Sequence, residues 1–416
     1  MESKDIKRKI QSGERLRVLF LNDLGFQYGA GIALLRQIQS FLLMGHEVKA
    51  LCWTQGEEGA IPFIPLNATG VWEGMRELQK IHRDHGYSEA DIIHALMAEI
   101  KSLHPDFLII GNLHGANWPL KLLLSLKEMD CLMIAYMHDL HLVTGRCAYP
   151  GNCRLYETGC DETCPTAGDY PFLSKNQIAG EWKLRREIFC GPDGIPLATN
   201  SRWVLDVAKR SLKGLRYADV VYCGLDDHLF KPIDRVLSKR LVGLSPERFV
   251  ILMGAVNVSD TRKGGRFFDE IFSGLADDAD FLIFGQDSSA LKGVTATGLI
   301  RDYRKMQIVY SAADLFVGTS EEEAFGQTFF EAAACGVPVV GFSVGGVPEA
   351  ARNNYNARLV DDISAAALIK EIRFFMDNPE AREAFGNNGR RLVESEFSLK
   401  KQGDRLMKYL CEFSKS

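Results

Sequence analysis

Two carboxylates, Glu323 and Glu331, flank the start of a short helix that the sequence predicts near Gly326. Apolar runs on both sides are typical of buried strands, so the segment between them is expected to be one loop and one helix. The backbone N–H groups of Gly326, Gln327 and Thr328 would offer partial positive charge to a phosphate, and a glycine lets the ligand approach closely. Because carboxylates repel phosphate, the glutamates are predicted to bind neutral hydroxyls on either side of it, as a sugar nucleotide would present.

A second group of residues with binding chemistry follows the apolar run 249–254, which is typical of a buried strand. Arg262 and Lys263 are adjacent there, at the opening of a helix expected near Arg266. The planar fork of an arginine and the point charge of a lysine can share the oxygens of a diphosphate. Taken alone, the pair is also consistent with a solvated basic turn. Together with the glutamate segment downstream, the pair and the following Gly264 are predicted to bind a diphosphate.

The elements that position these residues alternate between strands and helices. Near the N-terminus, the runs 17–22 and 45–51 are typical of two strands, and the helix expected between them has apolar residues at helical spacing. Such strand–helix–strand units build parallel sheets, so an α/β fold is expected. The segment Gly29-Ala30-Gly31 is expected to form a loop before the helix. Leu34 stands in place of the third glycine of a dinucleotide fingerprint, so an NAD site is not expected.

Two histidines follow further predicted strands. His114 comes after the run 107–110, and His138, followed by Asp139, comes after the run 132–136. Ligands of open α/β sheets bind beyond the carboxyl ends of the strands, so both histidines are candidates for a ligand site. A single histidine is more often a structural residue, and of the two we favour His138.

Four of the ten cysteines lie close together in the sequence, at Cys147, Cys153, Cys160 and Cys164. In a cytosolic chain such a group is interpreted as a metal site rather than as disulfides, and four thiolates suit tetrahedral Zn²⁺. The spacings are longer than those of common zinc knuckles. An iron–sulfur centre, two disulfides or free thiols therefore remain alternatives to a structural zinc ion that shapes an acceptor pocket.

The segment from Thr319 to Val340 resembles the E-x7-E signature of the family 4 glycosyltransferases, which are retaining enzymes of GT-B architecture. The resemblance includes the small residues 332–334, the turn 336–338 and the run 345–349, and it extends over nearly the whole chain. The cysteine-rich insertion 144–166 resembles that of a bacterial exopolysaccharide and colanic-acid-type subset.

The resemblance implies two Rossmann-like parallel-sheet domains with the reaction in the cleft between them. The implied domains are residues 1–225 for the acceptor, with the cysteine-rich insertion, and residues 226–397 for the donor. A C-terminal helix, 398–416, is implied to cross back to the first domain. A loop at 297–300 lies where the family contacts the nucleotide base, but the base itself cannot be identified from it.

The resemblance also implies a reaction, namely transfer of a sugar from a nucleoside diphosphate donor to a hydroxyl of a glycan or lipid-linked acceptor, with retention of configuration. Arg262 and Lys263 would stabilise the leaving diphosphate in place of a divalent metal, so no catalytic cofactor is expected. Glu323 would hold the donor sugar, Glu331 the ribose, and His138 would complete the sugar pocket. A donor phosphate oxygen would take the acceptor's proton, so no protein general base is named.

Some positions depart from the family pattern. Ala255 stands where an arginine is usual, and Tyr222-Cys223 replaces the usual Pro-Asn. The family's N-terminal glycine-rich loop borders the donor and acceptor sites, and its glycine pair is replaced here by Tyr28-Gly29-Ala30-Gly31. The resemblance implies that Gly29, Ala30 and Gly31 bind the donor. These departures keep two alternatives open: a sugar-nucleotide epimerase of the same fold, and a non-catalytic binding subunit of a polysaccharide assembly complex.

Composition is consistent with a soluble enzyme. The chain has 416 residues, 46% of them hydrophobic and 25% charged, a net charge of −5 and a pI near 6.0. A net negative charge argues against a nucleic-acid binder, whose affinity rests on neutralising phosphates. No apolar run of spanning length and no secretory signal are visible, so a cytoplasmic location is expected. The stretches 182–189 and 203–216 are basic and amphipathic, so peripheral contact with an anionic membrane is a hypothesis. The alternative interpretation is that they are ordinary surface helices.

Overall fold

The computed structural model describes residues 2–53, 88–257, 260–288 and 292–413. These residues divide into two compact units. Unit 1 contains residues 2–53, 88–224 and 402–413, and unit 2 contains the described residues between 225 and 401. Each unit has its own parallel sheet, as the alternation of strand and helix patterns predicts.

Unit 1 is built on a sheet that, within the described residues, has six parallel strands in the order β2-β1-β3-β4-β5-β6. The strands are β1 (Arg17–Asn22), β2 (Glu47–Cys52), β3 (Phe107–Ile110), β4 (Leu132–Met137), β5 (Leu197–Thr199) and β6 (Ala218–Val220). Its helices are α1 (Glu2–Ser12), α2 (Tyr28–Leu43), α3 (Glu89–Ser102), α4 (Leu122–Leu126), α5 (Leu155–Thr158), α6 (Lys175–Phe189) and α7 (Arg202–Ser211). The central strands are apolar along their length because helices cover both faces of a parallel sheet.

Unit 2 also has six parallel strands within the described residues, in the order β12-β11-β10-β7-β8-β9. They are β7 (Phe249–Asn257), β8 (Ala279–Gln286), β9 (Thr295–Gly298), β10 (Leu315–Gly318), β11 (Val339–Phe342) and β12 (Ala357–Val360). The helices are α8 (Arg235–Leu241), α9 (Phe268–Leu275), α10 (Tyr303–Ser311), α11 (Gln327–Ala334), α12 (Val347–Ala350), α13 (Ala365–Asp377) and α14 (Pro379–Leu392), and α15 (Leu399–Phe413) follows. Since β7 and β10 are neighbours, the segments that follow them emerge side by side.

One local prediction is wrong. Gly29, Ala30 and Gly31 lie in the first turn of α2 and not in a loop before it, because the helix already begins at Tyr28. A side chain at Gly31 would place its Cβ only 2.0 Å from the carbonyl oxygen of Gly25, so the glycine lets this turn pack directly on the preceding backbone. The helix expected near Arg266 is confirmed, because a 3₁₀ turn at Gly265–Phe267 leads directly into α9 at Phe268.

From Gln402 onward, α15 belongs to unit 1. The hydroxyl of Ser40, on α2, donates a hydrogen bond of 3.1 Å to Oε1 of Gln402, and a side chain at Gly403 would collide with the sulfur of Met44. The glycine therefore allows the two helices to approach closely.

The basic stretches 182–189 and 203–216, for which membrane contact is a hypothesis, lie on α6 and on α7 with the residues that follow it. Several of their apolar side chains lie in the interior of unit 1, including Ile188 and Phe189 on α6 and Val204 and Val207 on α7. These faces pack against the protein and are not presented outward, which supports the reading as ordinary surface helices. Within the described residues, no helix combines the length and the apolar character needed to cross a bilayer.

Candidate functional site

The basic turn after β7 and the acidic loop after β10 lie against each other in unit 2. The ammonium of Lys263 donates a short hydrogen bond to Oε2 of Glu323. Nη1 of Arg262 donates to the carbonyl oxygen of Glu322 at 3.0 Å, and the N–H of Glu321 donates to the carbonyl oxygen of Arg262 at 2.9 Å. The structure thus brings together the predicted diphosphate turn and the predicted sugar-binding carboxylate, which are 60 residues apart in the sequence.

Two glycines make this contact possible. Gly264 has a φ of +72°, and a Cβ there would lie 1.9 Å from the carbonyl oxygen of Thr319. The hydroxyl of Thr319 in turn donates a hydrogen bond of 2.8 Å to the carbonyl oxygen of Lys263. Gly345, with a φ of +55°, allows a similar close approach, because a Cβ there would lie 2.0 Å from the carbonyl oxygen of Glu323. Only glycine combines this backbone conformation with such close approach.

Glu323 is held as a carboxylate. Its exposed fraction is only 9%, and burial acts to raise its pKa, but Lys263 and then Arg262 lower it by more, so the pKa lies below the usual value of 4.5. A buried charge of this kind requires its partners, because removing one leaves an uncompensated charge in a poorly solvated place.

Lys263→Met is expected to destabilise the protein at neutral pH by about 2–4 kcal/mol, because it leaves Glu323 buried without its closest cation. In the wild type, the lowered pKa of Glu323 stabilises the fold above the unfolded pKa, and this contribution is lost as the pH falls through the folded pKa. In the variant, burial dominates and the pKa of Glu323 rises. The difference in the free energy of unfolding should therefore be largest near pH 7 and shrink below pH 4.5, as measured by urea denaturation.

The control for this measurement is Arg304→Met, which breaks an ion pair with Asp302 on the surface of the same unit. An exposed pair contributes about 0.2–1 kcal/mol. A difference between wild type and Lys263→Met that stayed constant from pH 7 to pH 4 would contradict the electrostatic explanation.

The helix start predicted near Gly326 is confirmed. Gly326 is the N-cap of α11 with a φ of +91°, and Gln327 and Thr328 form the first turn. The first N–H groups of an α-helix have no acceptor within the helix and carry the positive end of its dipole. This end of α11 follows directly on the loop that holds Glu323, so a phosphate at the helix start would lie near the basic turn.

Glu331 lies on the buried face of α11, with an exposed fraction of 7%. The hydroxyl of Tyr310, on α10, donates a hydrogen bond of 2.8 Å to its Oε2. Tyr310 is not predicted from the sequence. No local sequence pattern links it to Glu331, because the two residues lie on different helices whose packing depends on the whole fold. The role of Glu331 at a ribose stays a prediction.

A separate polar cluster lies in unit 1 at the carboxyl ends of β1, β3 and β4. Asn22 accepts a hydrogen bond of 2.7 Å from the N–H of Asn112, whose side-chain amide donates to Asp139 at 3.0 Å. Nε2 of His114 lies 3.6 Å from the same carboxylate. Burial raises the pKa of Asp23, whose carboxylate accepts the N–H of Gly115 at 2.6 Å. The rule that polar residues gather at strand ends predicts this cluster, but not its pairings.

His138 is buried at the edge of the same cluster, with an exposed fraction of 7%. Burial, with a smaller contribution from His114, lowers the pKa of His138 to about 4. The imidazole is therefore neutral at pH 7 and can form hydrogen bonds but cannot carry a positive charge toward a reacting sugar. Among the described residues its Nε2 has no hydrogen-bond partner. Its predicted contact with the donor sugar rests on the family resemblance alone.

No disulfide joins the four clustered cysteines to one another. Cys147 and Cys164 both lie near the hydroxyl of Thr166, at 3.5 and 3.8 Å, and Cys160 accepts a hydrogen bond from a backbone N–H. Burial raises the pKa of Cys147 and raises that of Cys160 to about 11. Across the described ranges, no group of three or more His, Cys, Asp or Glu side chains is arranged for a metal ion. This arrangement gives no support to the zinc prediction for Cys147, Cys153, Cys160 and Cys164.

Comparison with known proteins gives matches to glycosyltransferases. Residues 289–392 match the family model described as glycosyl transferases group 1. The chain is 29% identical over 195 residues to a D-inositol 3-phosphate glycosyltransferase of Segniliparus rotundus, covering 41% of this chain and 42% of the relative. It is 29% identical over 223 residues to the "Putative colanic acid biosynthesis glycosyl transferase WcaC" of Escherichia coli (strain K12), covering 51% of this chain and 52% of the relative. The chain thus spans about half the length of these curated relatives.

Solved structures resemble nearly the whole chain. Sucrose-phosphate synthase from Thermosynechococcus elongatus has a TM-score of 0.69 at 18% identity, covering 97% of this chain and 100% of the solved one. Anabaena Alr3699/HepE in complex with UDP-glucose has a TM-score of 0.69 at 15% identity, covering 96% and 100%. At these identities the likeness shows the fold, which confirms the GT-B prediction. The chain therefore has the GT-B fold, and its residues 289–392 match the family model of the glycosyl transferases group 1.

Proposed function

We propose that the protein transfers a sugar from a nucleoside diphosphate sugar to a hydroxyl of a glycan or lipid-linked acceptor. The observation that carries the proposal is the contact between the Arg262–Lys263 turn and the loop of Glu323, beside the start of α11. Anabaena HepE, which shares the fold, forms complexes with UDP and with UDP-glucose, and this supports a donor of the same class.

The geometry supports an exchange of partners on donor binding. A diphosphate entering beside the basic turn competes with Glu323 for the ammonium of Lys263, whose side chain is 25% exposed and so remains accessible. Arg262 and the first N–H groups of α11 add further positive charge where the leaving diphosphate accumulates negative charge. The carboxylate of Glu323, relieved of its lysine, is then available to accept hydrogen bonds from the hydroxyls of the donor sugar.

For the chemical step we propose retention of configuration without a catalytic metal, as the family resemblance implies. The bond from the anomeric carbon to the diphosphate oxygen breaks, the acceptor oxygen bonds to the same face of the sugar, and its proton passes to a donor phosphate oxygen. The name of WcaC refers to colanic acid biosynthesis, which supports a role in making cell-surface polysaccharide.

The first test is a thermal-shift and calorimetry screen of UDP, GDP, ADP and dTDP with their common sugar conjugates. One base is expected to raise the unfolding temperature, because a ligand that binds only the folded protein stabilises it. Arg262→Gln combined with Lys263→Gln should weaken binding of both the nucleotide and its sugar conjugate at least about 100-fold, given two lost charge-assisted contacts.

The matched control is Arg266→Gln, which lies in the same segment but forms a surface ion pair with Glu321. It should leave nucleotide affinity unchanged. If no nucleotide bound the wild type, or if the double variant bound as well as the control, the proposal would fail. Release of free sugar without any acceptor would instead indicate a hydrolysing epimerase.

A further inference from the structure

A cleft of about 300 Å³ opens in unit 1, and the proposed reaction does not use it. It is lined by the start of β4, by the residues just before β5 and β6, and by residues of α1 and the end of α15. All strands of a parallel sheet run in the same direction, so these amino ends lie at the edge opposite to the one that holds Asn112 and His138. The cleft is therefore separate from the polar cluster of unit 1.

Three cationic side chains line this cleft: Lys7 on α1, Lys127 at the end of α4, and Arg216 just before β6. Lys127 donates a hydrogen bond of 3.3 Å to the carbonyl oxygen of Glu187, and among the described residues no carboxylate is paired with any of the three. The lining contains one carboxylate, that of Asp193, so the cleft has an excess of two positive charges.

Part of the lining of the cleft is apolar. Met133, Ile195 and Phe413 line it and are at least nine-tenths buried. An apolar wall lowers the effective dielectric constant, so an anion in the cleft would interact more strongly with the three cations than it would at an open surface. Among the described residues no carboxylate pairs with the three cations, and part of the wall is apolar. This combination favours an anionic ligand that has a small organic portion.

We propose that this cleft binds a phosphate monoester. Such a group carries a charge of about −1.5 to −2 near neutral pH and has three strong acceptor oxygens. It therefore matches both the excess charge and the number of cationic donors. The guanidinium of Arg216 can bind two phosphate oxygens together, and the two lysines supply point charges. The volume lies at the lower limit of small-molecule sites, which fits a phosphate with a few carbon atoms attached.

The phosphate can come from a soluble ester or from the headgroup of a membrane lipid, and the experiment separates the two. Glycerol 3-phosphate is the soluble probe, titrated by calorimetry into the full-length protein. Phosphatidic acid in phosphatidylcholine vesicles is the lipid probe, measured by co-sedimentation. Binding of at least one probe is expected, and it should weaken at least tenfold in Lys127→Gln combined with Arg216→Gln.

Two further variants make the test specific. Lys209→Gln combined with Lys213→Gln removes two exposed cations from the same unit but outside the cleft, and should leave binding unchanged. Asp193→Asn removes the opposing carboxylate and should tighten binding several-fold, a gain that a misfolded variant cannot produce. Dependence of glycerol 3-phosphate binding on the cleft cations assigns a soluble ligand, and dependence of vesicle binding alone assigns a lipid. If neither probe binds, or if binding follows the control pair and not the cleft pair, the proposal is overturned.

Discussion

Glu323→Gln is expected to lower kcat/KM for sugar transfer about 100-fold, which corresponds to about 2.7 kcal/mol of transition-state stabilisation. Glutamine has nearly the same shape but no negative charge, so it loses the charge-assisted hydrogen bonds that the carboxylate would make to the donor sugar. The measurement is initial transfer rates together with the affinities of the nucleoside diphosphate and of its sugar conjugate.

The two affinities distinguish this role from a general disturbance of the site. If Glu323 holds the sugar, Glu323→Gln should weaken binding of the sugar conjugate but should not weaken binding of the nucleoside diphosphate alone. The double variant of Arg262 and Lys263 should weaken binding of both ligands. Removal of the negative charge should even favour the bare diphosphate slightly, because Lys263 no longer has a competing partner. The matched control is Glu321→Gln, in the same loop, whose carboxylate pairs with Arg266 at the surface. Equal losses in Glu321→Gln and Glu323→Gln would contradict the assignment.

Much of the fold follows from local sequence patterns. The strands Arg17–Asn22 and Phe107–Ile110 have the predicted bounds, because a strand covered by helices on both faces is a continuous apolar run with clear ends. The start of α11 can also be predicted from the local sequence, because Gly326 adopts a positive φ at the helix cap. In each of these cases the information lies within a few neighbouring residues.

The contacts that complete the site are not local, and a single sequence does not contain them. Lys263 meets Glu323 because β7 and β10 are adjacent in the sheet, and strand order depends on the packing of the whole unit. The same holds for Tyr310 and Glu331 on neighbouring helices. The prediction of a loop at the first turn of α2 is wrong for a related reason. Glycines indicate close approach of the backbone, but the sequence does not show to what. Gly31 packs on the backbone of Gly25 and does not lie in a loop.

In the proposed reaction, donor binding gives both Lys263 and Glu323 new partners. Lys263 and Glu323 neutralise each other in the structure, so neither charge is left uncompensated in a poorly solvated place. The donor brings a diphosphate for the cation and hydroxyls for the anion, so both are satisfied again after the exchange. A nucleoside diphosphate alone satisfies only the lysine. The sugar moiety is therefore expected to contribute to donor affinity through Glu323.

Gly264→Ala is expected to disrupt both the stability of unit 2 and nucleotide binding. The substitution combines the strain of a non-glycine residue at a φ of +72° with a Cβ 1.9 Å from the carbonyl oxygen of Thr319, so the basic turn must move away from the loop. Strain and steric conflict together should cost roughly 2–5 kcal/mol. A displacement of about 1 Å at the diphosphate site is enough to lower activity about 100-fold.

Gly243→Ala is the matched control, because it separates backbone strain from steric conflict. Gly243 has a φ of +80°, similar to that of Gly264, but a Cβ there would meet nothing within 4 Å. The control should therefore cost only the strain of the left-handed conformation, about 1–2 kcal/mol, and should leave nucleotide affinity unchanged. Urea denaturation and calorimetric titration of both variants measure the two effects. Equal destabilisation with unchanged nucleotide affinity in Gly264→Ala would mean that the close approach of the turn to Thr319 does not position the diphosphate site.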